Sequence, residues 1–210
     1  LTHVGRLAFP IFAFLAVEGY FHTRSFKRYA LRMLLFAVLS EVPFDLMYGG
    51  TVFYPVHQNV IWTLLLGLLG IRLMEAARAK GKRWLYVLTC AAVVVLGFAL
   101  GTLGMVDYYG AGVLTVFAFY FFRERKWWCL LGQLAALYWL NVVVLGGQMY
   151  PVTLFGREIE LCEQGLALLA LVPIWLYRGR QGHHSKAFQY ACYAFYPAHM
   201  LVLALLTMIQ

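Results

Sequence analysis

Two acid–base residues lie one helical turn apart near the start of an otherwise apolar chain. Glu18 and His22 stand at i and i+4, so a helix places both side chains on one face. A carboxylate in this position can orient the imidazole, and an oriented imidazole is suited to accept and release a proton. The pair is therefore a candidate catalytic unit, and a structural pair is the alternative that the residues leave open.

A second pair with the same spacing consists of two acids, Glu41 and Asp45, with Pro43 between them. Two carboxylates one turn apart repel each other, so at least one requires a proton or a cationic partner. Arg6 is the cation expected at the same end of the molecule. The sequence thus predicts a network of Arg6 with Glu41 and Asp45, which either holds a substrate or only stabilises the fold.

Basic residues form a stripe just after the first pair. Arg24, Arg28 and Arg32 recur every four residues, and Lys27 lies beside them. Guanidinium groups bind phosphate well, so the stripe is a candidate site for the phosphates of a nucleotide-type donor such as coenzyme A. Side chains that reach out to lipid phosphate would give the same pattern.

Further polar residues are predicted at the end of the molecule away from this stripe. They are Gln58, Asn59 and Asp107, together with His199 in the last apolar segment. Polar groups at membrane depth are costly and are usually functional or paired, so their number on one side favours a shared polar cavity. A single buried histidine is nevertheless more often structural. No metal site is expected, because the four cysteines form no Cys-x-x-Cys pair.

Lipid must be the main solvent of the elements that carry these residues. Only 12% of the 210 residues are charged and 63% are hydrophobic, whereas soluble domains average about 25% charged residues. The chain therefore predicts one all-α domain over 1–210, a polytopic transmembrane helix bundle with spans of about 20 residues. The eight predicted spans are 5–22, 29–48, 59–77, 84–106, 108–122, 127–146, 163–177 and 187–209. We expect the sixth and seventh to be tilted, thinned or broken beside a cavity, and Gly67 and Gly70 in the third to be packing sites.

The distribution of charge predicts an orientation. Most of the 17 Lys and Arg lie in alternate gaps, at 23–28, 78–83, 123–126 and 178–186. Short cytoplasmic loops collect Lys and Arg, so these gaps are predicted to be cytoplasmic and the C-terminus to lie outside. The same rule accounts for the net charge of +8 without a nucleic-acid partner.

Several sequence blocks together resemble the TraX family. They are Gly5-Arg6-Leu7-Ala8-Phe9-Pro10-Ile11-Phe12-Ala13-Phe14, Glu18-Gly19-Tyr20-Phe21-His22-Thr23-Arg24, Ser40-Glu41-Val42-Pro43-Phe44-Asp45-Leu46, Gln58-Asn59-Val60 with Thr63-Leu64-Leu65-Leu66-Gly67, and Phe195-Tyr196-Pro197-Ala198-His199. The similarity is close over 5–67, weaker through the middle, and returns near the C-terminus.

The resemblance implies an integral membrane acetyltransferase, because the named member of the family N-acetylates pilin in the bacterial inner membrane. The family is also similar to a wider group that transfers an acyl group from a cytoplasmic thioester, usually acetyl-CoA, to an acceptor at or beyond the membrane. On this basis we expect His22, Glu18 and His199 to be catalytic and Arg24, Lys27, Arg28 and Arg32 to bind acetyl-CoA. The residues expected to bind the acceptor, a peptide, glycan or lipid, are Arg6, Glu41, Asp45, Gln58, Asn59 and Asp107.

Members of the family carry a further N-terminal helix with an Asp-His pair ahead of the block at 5–14. This chain begins at Leu1, and its first span is predicted to start outside. Both features predict a ninth span upstream, which would hold another candidate for the catalytic histidine.

Two other classes of function fit the same residues. A small proton-coupled transporter would also use intramembrane carboxylates, histidines and proline-interrupted helices, although no inverted repeat is visible. A membrane scaffold would only pair its polar groups with one another. Binding of coenzyme A separates the acetyltransferase from both.

Overall fold

The computed structural model describes residues 2–154, 157–179 and 185–209, and most of them are helical. The helices are α1 (Thr2–His22), α2 (Phe26–Gly49), α3 (Val60–Ala79), α4 (Arg83–Leu103), α5 (Tyr109–Phe121), α6 (Trp127–Tyr138), α7 (Leu171–Leu176) and α8 (Lys186–Ile209). A π-helix at Trp139–Leu145 continues α6, and a 3-10 helix at Glu163–Ala170 leads into α7. The predicted helical bundle is confirmed.

Two predicted spans depart from regular α-helix, as expected from their short apolar stretches. The sixth changes to a π-helix at Trp139, where Asn141 donates its side-chain amide to the Leu137 carbonyl at 2.9 Å. The seventh begins as a 3-10 helix before α7. Such segments occur at membrane depth where protein rather than lipid surrounds them, and Asn141 and Glu163 are indeed buried.

A β-hairpin that the sequence did not predict lies between these two irregular segments. Strands β1 (Met149–Leu154) and β2 (Arg157–Cys162) pair antiparallel, with Met149 opposite Cys162 and Leu154 opposite Arg157. The hairpin occupies the gap at 147–162 between two predicted spans, so it overlaps neither of them. Its β-branched residues Val152, Thr153 and Ile159 are typical of strands.

Helix α5 forms the centre of the core. Val113, Val116 and Phe117 are almost fully buried, because glycines of α3 allow the two helices to approach closely. A Cβ atom on Gly67 would lie 2.7 Å from Val116, and one on Gly70 would lie 2.6 Å from Phe117. Both glycines are therefore packing positions, as the sequence predicts.

The surface is consistent with a membrane environment. Three helices in the described parts of the chain are long and apolar enough to cross a membrane, at Val60–Ala79, Arg83–Leu103 and Trp127–Leu145. Many large apolar side chains of α2 and α4 are exposed, among them Leu35, Val38, Val95 and Leu96. Exposed apolar surface on this scale belongs in lipid, and the number of crossings stays a prediction.

Candidate functional site

Glu18 lies at one end of the bundle, which we call the basic end because it carries the loops at 23–25, 80–82 and 122–126. Arg123 binds this carboxylate with two nitrogens, Nε at 2.7 Å from Oε1 and Nη2 at 3.4 Å from Oε2. The same guanidinium stacks over the Phe21 ring, 4.1 Å from its centroid. The strongest partner of Glu18 is thus an arginine from the loop between α5 and α6.

His22 does lie next to Glu18, as the spacing predicts. Its Nδ1 is 2.8 Å from the Glu18 carbonyl oxygen and 3.8 Å from the carboxylate. A carbonyl oxygen only accepts, so Nδ1 carries the hydrogen and a neutral His22 has its lone pair on Nε2. The side chain is 66% exposed, which leaves Nε2 accessible as a base.

A cavity of about 550 Å³ opens at the basic end. The described residues that line it are Phe14, Glu18, Arg123, Arg125, Tyr177, Arg178 and Gly179. Arg123, Arg125 and Arg178 belong to the loops that the sequence predicts to be cytoplasmic, where the positive-inside rule alone accounts for arginine. The predicted donor ligands Arg24, Lys27, Arg28 and Arg32 lie outside the described lining of this cavity.

The opposite end, which we call the far end, holds Glu41 in a network of neutral donors. Trp62 Nε1 donates to Glu41 Oε2 at 2.7 Å, and Asn59 Nδ2 donates to the same oxygen. Asn59 also donates to the Ala37 carbonyl at 2.8 Å and accepts from the Ile61 amide at 3.0 Å, so it caps α3. Glu41 therefore ties α2 to the start of α3.

The predicted network of Arg6 with Glu41 and Asp45 is wrong. Arg6 Nε lies 3.5 Å from Glu163 Oε1, because α1 packs against the 3-10 helix that Glu163 begins. Asp45 is buried and accepts the Tyr54 amide at 3.0 Å, which fastens the loop after α2. The two acids of α2 thus use amide and indole hydrogens where a guanidinium was expected.

Asp107 lies in a tight turn between α4 and α5. Met105, Tyr108 and Tyr109 have φ values of 50°, 60° and 49°, a left-handed conformation that costs energy for residues other than glycine. Two backbone hydrogen bonds of 2.9 Å join Gln58 to Met105 and Asp107 and hold the turn in place. Thr63 adds a bond of 2.6 Å from its hydroxyl to the Asp107 carbonyl.

His57, to which the sequence assigns no role, lies behind Asp107. Its Nε2 lies 3.4 Å from Asp107 Oδ1, and its ring packs near the rings of Phe44 and Tyr48 with centroids 5.7 and 4.6 Å away. The imidazole is buried, whereas the carboxylate is partly exposed. This arrangement holds Asp107 in one orientation and leaves it accessible from one side.

A second cavity, of about 800 Å³, opens on Asp107 at the far end between α1, α3 and α8. Its described lining is mostly apolar and includes Asp107 and His199 together with Tyr108 and Tyr196. His199 Nδ1 lies 2.9 Å from the Phe195 carbonyl oxygen, so its Nε2 is also the free, basic nitrogen.

The structure therefore divides the predicted site residues. Asp107 and His199 share the far cavity, while Glu18 lines the basic cavity with His22 beside it. Asn59, Glu41 and Asp45 form the supporting network, and Gln58 holds the Asp107 turn through its backbone. Among the described residues, no group of three or more His, Cys, Asp or Glu side chains could hold a metal ion.

Comparison with known proteins agrees with the sequence blocks. The family model described as TraX protein matches residues 1–207. The chain is 28% identical over 213 residues to a protein of Dichelobacter nodosus named probable fimbrial assembly protein FimC, serogroup H1, covering 97% of this chain and 81% of the relative. No solved structure matches the chain. The family match spans nearly the whole chain, and the chain belongs to the TraX family.

Proposed function

We propose that this chain is a membrane-embedded acetyltransferase that moves an acetyl group from acetyl-CoA to an amine or hydroxyl acceptor at the membrane. The observation that supports it most is the pair of cavities at opposite ends of the bundle. One is lined by arginines and suits an anionic donor, while the other is largely apolar with Asp107 and His199 in its lining. Each also has a histidine in or beside it with a free Nε2.

The chemical step needs a base and a thioester that meets the acceptor, so the acetyl-bearing arm of the donor would have to extend from the basic cavity toward the far cavity. As the acceptor nitrogen or oxygen attacks the acetyl carbon, the base takes the proton of the acceptor. The carbon–sulfur bond then breaks, coenzyme A leaves as a thiolate, and the proton held by the base restores its thiol. His22 and His199 are the two candidates for this base because their free nitrogens accept a proton without breaking a hydrogen bond.

The acceptor site is proposed at the far end. The apolar lining suits an apolar chain, and Asp107 would bind a positively charged amine at the polar edge of the cavity. Arg6, Glu41, Asp45, Gln58 and Asn59 would act mainly by holding the helices and the turn around that cavity. The relative named as a fimbrial assembly protein favours a pilin-type peptide over a glycan or a lipid as the acceptor.

The test replaces each histidine separately. We expect His22→Ala or His199→Ala to lower acetyl transfer by about 100-fold or more, the usual contribution of a general base. Radiolabel from acetyl-CoA is followed into the peptide, glycan and lipid fractions of inverted membrane vesicles. His22→Asn and His199→Asn serve as matched variants that keep a polar side chain, and unchanged melting temperatures show that folding is intact. Full transfer by both alanine variants would refute these roles.

The proposed location is a bacterial inner membrane with the basic loops in the cytoplasm and the C-terminus outside. Thr51, in the loop between α2 and α3, and Lys80, just after α3, are exposed at opposite ends of the bundle and suit a labelling test. In a cysteine-free protein, an impermeant maleimide added to spheroplasts should label Thr51→Cys and spare Lys80→Cys until the membrane is opened. The reverse pattern would invert the orientation.

A proton-coupled transporter is the second candidate, and one observation favours it. Glu41 Oε1 and Asp45 Oδ1 are buried and, within the described residues, have no hydrogen-bond partner. Intramembrane carboxylates that exchange a proton have this character. Proton uptake driven by a substrate, without any binding of coenzyme A, would support the transporter and contradict the acetyltransferase.

A further inference from the structure

Among the described residues, the lining of the basic cavity includes three guanidinium groups and one carboxylate. It is formed by α1, the loop between α5 and α6, and the segment after α7, which contribute Glu18, Arg123, Arg125 and Arg178. Its volume of about 550 Å³ is in the range of small-molecule sites. The charges are therefore gathered on a concave surface, where a ligand can contact several of them at once.

Only one of the three arginines is neutralised within the cavity. Arg123 is paired with Glu18 at 2.7 Å. Arg125 donates to the carbonyls of Trp175 at 2.6 Å, Ile174 at 3.2 Å and Tyr177, groups that carry no full negative charge. Arg178 makes no hydrogen bond or ion pair with any described part of the chain.

Lys126, the neighbouring cation in the same loop, already has an acidic partner. Lys126 Nζ lies 2.5 Å from Glu124 Oε2, and this hydrogen-bonded carboxylate raises the pKa of Lys126. The two cations of this loop therefore differ. Lys126 is paired with Glu124, and both lie outside the described lining, whereas Arg125 lines the cavity and has no acidic partner among the described residues. The cavity keeps two positive charges that an anion would balance.

The basic stripe of α2 has a different geometry. Arg24 lies in the loop before α2, and Lys27, Arg28 and Arg32 lie on α2; all four are exposed and lie outside the described lining of either cavity. Long exposed side chains lose conformational entropy when they bind, and on an open face each meets its ligand alone. In the concave site Arg125 is already fixed by three carbonyls, so this side chain loses less of this entropy on binding a phosphate.

We infer that the basic cavity binds the phosphate groups of the nucleotide part of the acetyl donor, with Arg178 and Arg125 as the phosphate ligands. Arg178 is suited to this role because its planar fork can make two parallel hydrogen bonds to phosphate oxygens, whereas Arg125, whose Nη2 donates to the Ile174 and Tyr177 carbonyls, contributes mainly its charge. The Glu18–Arg123 pair forms a fixed wall beside His22. The inference rests on the proposed function for the identity of the donor, and it replaces the α2 stripe as the donor site.

The test measures binding of coenzyme A and of 3′-dephospho-coenzyme A to the full chain purified in detergent. Arg178→Ala is expected to raise the Kd for coenzyme A by about 10-fold or more, the usual effect of losing a charge-assisted bond. Arg178→Lys should recover part of the affinity, since it keeps the charge but not the fork. Arg28→Ala is the matched control on the stripe and should change the Kd less than 2-fold.

Further arms distinguish a nucleotide phosphate from a lipid phosphate. Binding of phosphatidylglycerol in nanodiscs is compared for the wild-type chain and Arg178→Ala. If Arg178→Ala lowers lipid binding and leaves the Kd for coenzyme A unchanged, the cavity is a lipid site and the inference is overturned. If Arg28→Ala weakens coenzyme A binding and Arg178→Ala does not, the donor binds the α2 stripe.

Different results of these experiments would refute the inference and the proposed function. Wild-type acetyl transfer with undiminished coenzyme A binding by Arg178→Ala overturns the inference alone. Coenzyme A binding that depends on Arg178, in a chain that transfers no acetyl group to any membrane fraction, supports the inference and removes the acetyltransferase. A wild-type chain that binds no coenzyme A overturns both.

Discussion

The two ends of the bundle hold an acid in opposite ways. At the basic end Glu18 is bound by Arg123, an arginine whose charge is permanent, in a cavity with two further arginines. At the far end Asp107 is backed by His57, whose charge depends on its protonation, in a larger and mostly apolar cavity. One end is built around charge, and the other presents a single carboxylate at the edge of apolar surface.

The two ends therefore meet the different requirements of two substrates. An anionic, water-soluble donor requires accessible cations, and the basic end provides Arg125, which three carbonyls hold in place, and Arg178, which has no partner among the described residues. An acceptor that approaches within the membrane requires apolar contacts and one oriented polar group, which Phe12, Leu64 and Asp107 supply. A cavity of either kind alone would serve only half of a transfer reaction.

The largest effect on stability is expected at the basic end. Arg123→Ala leaves the half-buried Glu18 carboxylate without its cation, and we expect a loss of about 2–3 kcal/mol in the free energy of unfolding, less than for a fully buried pair because Arg123 is partly exposed. The measurement is unfolding in mixed detergent micelles. Arg78→Ala, which removes an exposed pair with Glu75 of 3.4 Å, should cost under about 1 kcal/mol.

A double variant checks the reason for this loss. In Glu18→Gln with Arg123→Ala no charge is left unpaired, so part of the stability should return. Equal losses for Arg123→Ala and Arg78→Ala would mean that the Glu18 pair is only a surface interaction, and the contrast between the two ends would disappear.

An intermediate loss of stability is expected at the far end, where Asn59 both caps α3 and donates a hydrogen bond to Glu41. Asn59→Ala removes the cap of α3 and a hydrogen bond to Glu41 in a fully buried position, which should cost about 2 kcal/mol. Ser25→Ala removes only the cap of α2, a hydrogen bond of 3.4 Å at the basic end, and should cost about 0.5–1 kcal/mol. Unfolding of both variants in detergent gives the comparison, and a larger loss for Ser25→Ala would contradict it.

Local spacing explains which parts of the site the sequence predicted. Glu18 and His22 are neighbours because any helix brings i and i+4 together, and the packing role of Gly67 and Gly70 follows from their place in an apolar helix. The helical class follows from an apolar composition that only lipid can solvate. These inferences use information within one element.

The parts that were missed depend on distant contacts. Arg123 is 105 positions from Glu18, and in the sequence it is indistinguishable from an arginine that only sets orientation. The same holds for Arg6, whose true partner Glu163 follows a hairpin that was not predicted. His57 meets Asp107 through a turn with left-handed Met105, Tyr108 and Tyr109, which side-chain preferences disfavour.

A third polar cluster sharpens the comparison, because it lies outside the described lining of both cavities. Tyr120 donates its hydroxyl to Glu75 at 2.6 Å and lies 3.3 Å from the Tyr86 hydroxyl. Tyr120→Phe keeps the ring and removes both contacts, so we expect a loss of about 1 kcal/mol in the free energy of unfolding and unchanged acetyl transfer. Tyr86→Phe, which removes only the longer contact, should cost less.

Unfolding in detergent and acetyl transfer in vesicles, measured on the same variants, decide whether a polar group contributes to function only when it lies in one of the two cavities. If Tyr120→Phe lowers kcat for acetyl transfer as strongly as His22→Ala while stability is unchanged, then function does not follow the cavities, and the assignment of donor and acceptor to opposite ends fails. If only stability falls, the cluster at Tyr120 is structural. The polar groups that matter for chemistry are then those that a substrate can reach.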